Sequence, residues 1–126
     1  MHRTAAAAVV VIGALGVAVS AARPAPEESA QPRRVEVVAS RYAFAPAVIE
    51  AHQGEALDLE LRSADTDHGF AIKPYGLKVA IPKGGAVVRV LLVADKPGRF
   101  PIECSEYCGS GHKRMRGELV VAEAGR

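Results

Sequence analysis

The feature that most constrains this sequence is an alternation of apolar and polar residues that recurs from residue 34 onward. Leu57, Leu59 and Leu61 fall on one face of a predicted strand, with Asp58 and Glu60 on the other. Alternation with period two is typical of strands that bury one face. Comparable short runs lie at Val35–Val38, Leu77–Ile81, Phe100–Cys104 and Leu119–Val121.

Turn-forming residues separate these runs, at Gln53–Gly54, Pro74–Gly76, Pro82–Gly85 and Lys96–Gly98. The segment Val87–Val93 is longer and almost continuously apolar, which predicts a strand covered on both faces. No window after Ala22 repeats with the helical period. About seven or eight strands in roughly 90 residues predict an all-β domain, a Greek-key β-sandwich or barrel.

Residues 1–22 differ from the rest and predict a signal peptide or a membrane anchor. Arg3 is followed by an uncharged stretch over residues 5–22, which ends in the small residues Ser20-Ala21-Ala22. As a helix, this stretch would span about 27 Å, slightly less than the hydrocarbon layer of roughly 30 Å. Its small-residue end favours cleavage, whereas an uncleaved segment would tether the chain to a membrane. Either way, the remainder is expected on the periplasmic or extracytoplasmic side.

Residues 23–33 contain three prolines and no aliphatic residue larger than alanine, so we expect a disordered linker before a domain over residues 34–126. The formal net charge of +2 is too small for a nucleic-acid-binding surface, and no nucleic-acid partner is expected. Two cysteines also exclude a small scaffold held together by many disulfides.

The residues with distinctive chemistry concentrate in segment 104–115, which contains Cys104, Cys108, His112 and Met115. Thiolates and thioethers are soft donors that favour copper, whereas calcium and magnesium prefer oxygen. Three simpler interpretations each leave residues unused. A structural disulfide leaves His112 and Met115 unexplained, zinc gives the methionine no role, and a single blue copper needs only one cysteine.

A binuclear copper site would use the whole set, with two bridging thiolates and one histidine on each metal. This requires a second histidine, and the candidates are His2, His52 and His68. His2 lies in the targeting segment, and His52 precedes a predicted turn, where a solvated side chain is expected. His68 enters an apolar strand after the polar turn Asp65-Thr66-Asp67, and it is the preferred candidate.

The pattern His68…Cys104-Ser-Glu-Tyr-Cys108-Gly-x-x-His112-x-x-Met115 resembles the CuA centre of cytochrome c oxidase subunit II. Flanking segments agree, namely Tyr42-Ala-Phe44-Ala-Pro46, Asp67-His68-Gly69-Phe70 and Pro97-Gly98. The resemblance is to the short bacterial form with one membrane helix. It implies a cupredoxin fold that binds two copper ions at one end of the sandwich.

The resemblance also implies a role for each ligand. Cys104 and Cys108 would bridge the coppers, His68 and His112 would bind one copper each, and Met115 and the backbone carbonyl of Glu106 would be weak axial donors. Implied partners are the haem-copper oxidase subunit I and, as electron donor, a c-type cytochrome or a small copper protein. The chain has no complete active site of its own, so oxygen reduction would occur on another subunit.

Two features depart from the family pattern. The chain has no tryptophan, whereas longer subunits II carry an aromatic cluster associated with electron entry. Lys113, Arg114 and Arg116 place positive charge beside the predicted site, unlike an acidic surface suited to a basic cytochrome. A copper carrier or a soluble electron shuttle that is not assembled with an oxidase is therefore the alternative function.

Overall fold

A computed structural model describes residues 7–20 and 31–125 of the chain. Residues 7–20 carry neither helix nor strand, and no helix in the described ranges is both long and apolar enough to cross a membrane. The predicted targeting segment lies partly outside the described residues, at 1–6 and 21–22. Most of the predicted linker, at 23–30, also lies outside them.

The rest of the described chain forms two β-sheets. The nine strands are β1 (Arg33–Ser40), β2 (Ala43–Ala45), β3 (Val48–His52), β4 (Glu55–Ser63), β5 (His68–Ile72), β6 (Leu77–Ile81), β7 (Val88–Ala94), β8 (Gly98–Glu103) and β9 (Arg116–Ala122). Single 3₁₀ turns lie at Lys73–Tyr75 and His112–Arg114. One sheet has the order β2-β1-β4-β7 and the other β3-β9-β8-β5-β6. This two-sheet, all-β architecture confirms the predicted cupredoxin-like fold class.

The core lies between the two sheets and is filled by the alternating residues of each strand. Leu57, Leu59 and Leu61 of β4 are fully buried, as the period of two predicted. From the facing sheet, Phe70 packs edge-to-face on Phe44, with ring centroids 5.6 Å apart. Such burial of apolar surface supplies most of the stabilisation of a sandwich this small.

The prediction for Val87–Val93 was wrong in one respect. A strand does form there, but Leu91 and Val93 are 65% and 48% exposed, so only one face is covered. The reason is its position, because β7 is the last of the described strands in its sheet and pairs with β4 alone among them. A run of apolar residues therefore does not distinguish a doubly covered strand from an edge strand.

Candidate metal centre

The predicted ligands meet where β8 and β9 are joined. Cys104 directly follows β8, Met115 directly precedes β9, and His112 begins the 3₁₀ turn between them. β8 and β9 are antiparallel neighbours, so both ends of this loop are anchored in one sheet. His68 comes from the first position of β5, which lies on the other side of β8 in the same sheet. One end of the sandwich thus receives side chains from two distant segments.

A pair of buried sulfur atoms forms the middle of the cluster. Cys104 Sγ and Cys108 Sγ lie 3.5 Å apart, well beyond the S–S bond length of about 2.05 Å, and both cysteines are free. The thioether Sδ of Met115 is 3.8 Å from Cys108 Sγ. On the opposite side, the backbone carbonyl oxygen of Glu106 is 3.1 Å from Cys104 Sγ. The loop conformation therefore surrounds the thiols with further weak donors.

One imidazole lies beside each sulfur. His68 Nδ1 is 3.9 Å from Cys104 Sγ, and His112 Nδ1 is 3.7 Å from Cys108 Sγ. Donor atoms of His68, Cys104 and Cys108 all lie within 4.8 Å of one another. His68 is completely buried, whereas His112 is only half-buried. Of the two imidazoles, His112 is thus the one that reaches the surface.

Asp65 fixes the orientation of His68. Its Oδ1 lies 2.6 Å from His68 Nε2, which leaves Nδ1 directed at the sulfur pair. Burial opposes ionisation of Asp65, but hydrogen bonds from the backbone N–H of Arg41, from His68 and from the backbone N–H of Thr66 outweigh it. They lower the pKa of Asp65 to about 2. In a histidine that binds a metal, the other ring nitrogen can donate to a carboxylate. This hydrogen bond fixes the tautomer of the imidazole and raises the basicity of the ligating nitrogen.

Three further residues shape the loop from outside segment 104–115. Arg41 Nε donates to the carbonyl oxygen of Cys108, at 3.0 Å. The ring of Tyr42 fills the space where side chains at Gly109 and Gly111 would stand. A Cβ on Gly69 would collide with Ser105 Oγ and lie 2.7 Å from the backbone nitrogen of Glu106. Glycine at position 69 thus allows β5 to approach the loop closely.

The donor set fits copper. Cys104, Cys108 and Met115 are each at most 6% exposed, so the soft donors are shielded from water. Burial raises the pKa of the Cys108 thiol to about 11, and its hydrogen bond with Cys104 adds to this effect. A soft cation bound between the two buried sulfurs would displace their protons and neutralise the thiolates.

The fold brings all six predicted site residues together at the end of the sandwich where β9 begins. His52 lies at the other end, because it pairs with Ala122, the last residue of β9. Sequence analysis did not assign roles to Arg41, Tyr42, Asp65 and Gly69. Asp65 offered a signal as a carboxylate three residues before the preferred histidine in a polar turn, and Tyr42 and Gly69 stood in the flanking segments of the resemblance. Arg41 is 67 residues from its partner Cys108, and no local pattern connects them.

Known proteins with related sequences include a cytochrome c oxidase subunit and a nitrous-oxide reductase. Cytochrome c oxidase subunit 2 of Thermus thermophilus is 35% identical over 89 residues, which cover 71% of this chain and 65% of the relative. Nitrous-oxide reductase of Cupriavidus necator is 32% identical over 92 residues, 69% of this chain but 14% of that enzyme. The chain thus spans slightly less than two thirds of the length of the first relative.

Among solved structures, a subunit of a heme-copper terminal oxidase dimer superposes with a TM-score of 0.64 and 27% identity, covering 75% of this chain and 67% of that one. The family model of the cupredoxin-like domain matches residues 7–121. With two β-sheets and a cluster of soft donors at one end, the chain belongs to the cupredoxin-like family.

Proposed function

We propose that this protein transfers electrons through a binuclear copper centre of the CuA type. The observation that carries the proposal is the pair of free sulfurs 3.5 Å apart with an imidazole nitrogen beside each. A single tetrahedral ion held by both thiols and both imidazoles would leave Met115 without a role, and a single blue copper would leave one thiol without a role. Two ions that share both thiolates use every donor in the cluster.

In this proposal, Cys104 and Cys108 bridge the two ions. His68 would bind the ion on one side and His112 the ion on the other, since each imidazole lies beside a different sulfur. Met115 Sδ and the carbonyl oxygen of Glu106 would be weak axial donors. The side chain of Glu106 is exposed and takes no part in the ligand set.

When bound, such a centre supplies reversible one-electron transfer. The protein contributes rigidity, because the ligands project from strand ends and from a loop anchored at both ends by β8 and β9. It also excludes water, since His68, Cys108 and Met115 are nearly fully buried. All the proposed ligands come from the protein, which leaves no open position of the kind that a hydrolytic metal site keeps.

We further propose that the domain works outside the cytoplasm and is delivered or anchored there by the segment over residues 5–22. The electron donor would be a c-type cytochrome or a small copper protein, and the acceptor would be the haem of an oxidase subunit I. Support comes from the similarity to the Thermus thermophilus subunit 2 and to a chain of a heme-copper terminal oxidase.

A second candidate is a protein that acts without an oxidase, as a soluble electron shuttle or as a copper carrier. The similarity to a nitrous-oxide reductase supports this second candidate, because the name of that enzyme does not describe an oxidase subunit. A carrier would bind one exchangeable copper, without the intense visible colour of bridging thiolates. A shuttle would share the binuclear centre, so only its assembly with other subunits would separate it from an oxidase component.

The copper content of reconstituted protein tests the proposal. The full chain, reduced and then loaded with copper, should retain two ions after gel filtration, whereas Cys108→Ser should retain one or none because a bridging ligand is lost. Met115→Leu is the matched control. Its side chain has similar volume, and an axial thioether tunes more than it holds the metal, so two ions should remain. One ion in the unaltered protein, released readily to a chelator, would instead support the carrier.

A further inference from the structure

We propose that the surface around His112 is a docking site for an electron-transfer protein with an acidic surface. The inference rests on the proposed function and extends it to the chemistry of the partner. It starts from a groove of about 270 Å³ beside His112. Its lining includes Cys104 and His112, the carboxylate of Glu103, and the cations Lys73, Lys113 and Arg116.

The charges in this groove do not cancel. Glu103 is already shared, since Lys73 Nζ lies 3.1 Å from one of its oxygens and Arg116 Nη1 lies 2.7 Å from the other. Lys113 forms no ion pair with any residue in the described ranges, and neither does the adjacent exposed Arg114. The single carboxylate thus faces more positive charge than it can neutralise. A carboxylate from a partner would complete the set.

An exposed aromatic ring lies at the same place. Tyr107 is 77% exposed, and its ring centroid is 5.7 Å from that of the His112 imidazole. Tyrosine is among the residues that contribute most to protein interfaces, because its rigid ring offers apolar area and a hydroxyl at low entropic cost. Tyr107 and the groove together provide the apolar contact and the charged surroundings of a small docking site.

The other acidic residues at this end are Asp65 and Asp67 on the His68 side and Glu106 in the loop. Asp65 accepts hydrogen bonds from His68 and from two backbone N–H groups, and Asp67 accepts one from the backbone N–H of Lys83. Glu106 is the one acidic residue of segment 104–115, which also carries Lys113 and Arg114. The groove beside His112 has three cations and one carboxylate in its lining and thus a local positive excess, at the imidazole that reaches the surface.

Mapping the charge of the surface needs no metal. The ¹⁵N-labelled, metal-free full chain would be titrated with hexacyanochromate(III), a paramagnetic trivalent anion, and separately with the cation hexaamminechromium(III). We expect the anion to broaden the amide signals of Lys73, Tyr107 and residues 112–116 first, and the cation to leave them sharp. Even broadening over the surface, or a stronger anion site elsewhere, would overturn the proposal. This result does not depend on copper loading, so it separates failure of the docking site from failure of the proposed function.

A second experiment uses two protein probes that differ only in charge. A basic mitochondrial-type cytochrome c and the same protein with succinylated lysines would each, in reduced form, donate electrons to the copper-loaded chain. At low ionic strength we expect the succinylated form to react at least about tenfold faster, with the ratio approaching one as salt screens the charges. A faster reaction of the basic form would overturn the proposal.

Variants test whether the preference for the acidic probe depends on the residues of this groove. Lys113→Gln combined with Arg114→Gln lowers the net charge by two and should remove most of the preference for the acidic probe. Lys96→Glu, at the far end of the sandwich, also lowers the net charge by two and is the control. It should retain the preference, because the Lys96 side chain bonds to the Pro74 carbonyl oxygen and lies over the Tyr75 ring, away from His112. Tyr107→Ala should slow both probes without changing the salt dependence. Equal effects of the Lys96 and Lys113/Arg114 variants would show that overall charge, not this groove, determines the preference.

Discussion

The two ends of the sandwich each carry a histidine beside a groove, but they differ in what surrounds it. At one end, buried His68 faces two thiols and is held by Asp65. At the other, exposed His52 lines a larger groove of about 510 Å³ with Arg33, Glu50 and Glu55. There, Glu55 pairs with Arg33 and accepts the backbone N–H of His52. The far groove thus centres on one ion pair and an exposed imidazole.

The comparison shows that size and polarity do not identify the functional end of this molecule. The larger groove contains hard groups, of which Arg33 and Glu55 already form an ion pair. The smaller cluster contains buried soft donors from two segments that converge on one another, an arrangement that suits a soft cation. Among the described residues, His68, Cys104 and Cys108 are the group arranged to hold a metal ion.

The largest expected difference between the two ends concerns the histidines themselves. His68→Gln should reduce the copper retained per chain by at least half, because it removes one imidazole donor from the sulfur pair. His52→Gln is the matched control and should leave the copper content unchanged. Metal analysis after gel filtration, with circular dichroism to confirm folding, makes the measurement. Equal copper loss in both variants would contradict the assignment of the metal to the His68 end.

A smaller effect is expected when the support of His68 is weakened. Asp65→Asn replaces one acceptor oxygen by a donor, so the side chain can no longer accept from Arg41, Thr66 and His68 together. We expect copper affinity to fall about 10- to 100-fold, as is typical for the partner of a ligand histidine.

Competition with a copper chelator would measure that affinity. Asp67→Asn removes the same charge two residues away, where the carboxylate accepts only from the backbone N–H of Lys83 among the described groups. It should bind copper like the unaltered protein. An Asp65→Asn variant with unchanged affinity would show that the imidazole is oriented by packing alone.

The smallest effect belongs to the far groove. Hydrogen bonding to Arg33 lowers the pKa of Glu55, although burial acts in the opposite direction. A carboxyl with a lowered pKa stabilises the fold above the ordinary value of 4.5, and the contribution is lost as the pH falls through the lowered pKa. Glu55→Gln should therefore reduce the free energy of unfolding by at most about 1 kcal/mol at neutral pH, and by less in acid.

Urea unfolding at neutral pH and at a pH below the lowered pKa would measure this difference, with copper content unchanged throughout. Glu50→Gln is the control, since its carboxylate forms no ion pair within the described ranges and only its backbone oxygen accepts from Arg33. A loss of copper in Glu55→Gln would contradict the assignment of the metal to the His68 end alone.

The sequence predicted the fold best where burial alternates strictly. The three leucines of β4 are fully buried, and both terminal strands formed where short β-branched runs lie. It failed for β7, since coverage by a second layer depends on where a strand lies in its sheet. The short strand β2 has three residues, too few for a periodic signal.

The candidate site could be predicted in part because most of its donors lie in one short loop. Cys104, Cys108, His112 and Met115 are close in sequence, and the anchored loop turns them to one side. The residues that support the loop from outside could not be predicted in this way. The bond from Arg41 to the Cys108 carbonyl and the approach of Gly69 to Ser105 join segments that only the folded sheets bring together.

The measurement that tests the central claim most directly is electron spin resonance of the copper-loaded full chain. Two coppers bridged by Cys104 and Cys108 should share one unpaired electron, and the hyperfine splitting should show equal coupling to two copper nuclei. Splitting from a single copper nucleus, in folded protein with both cysteines reduced before loading, would contradict the binuclear centre.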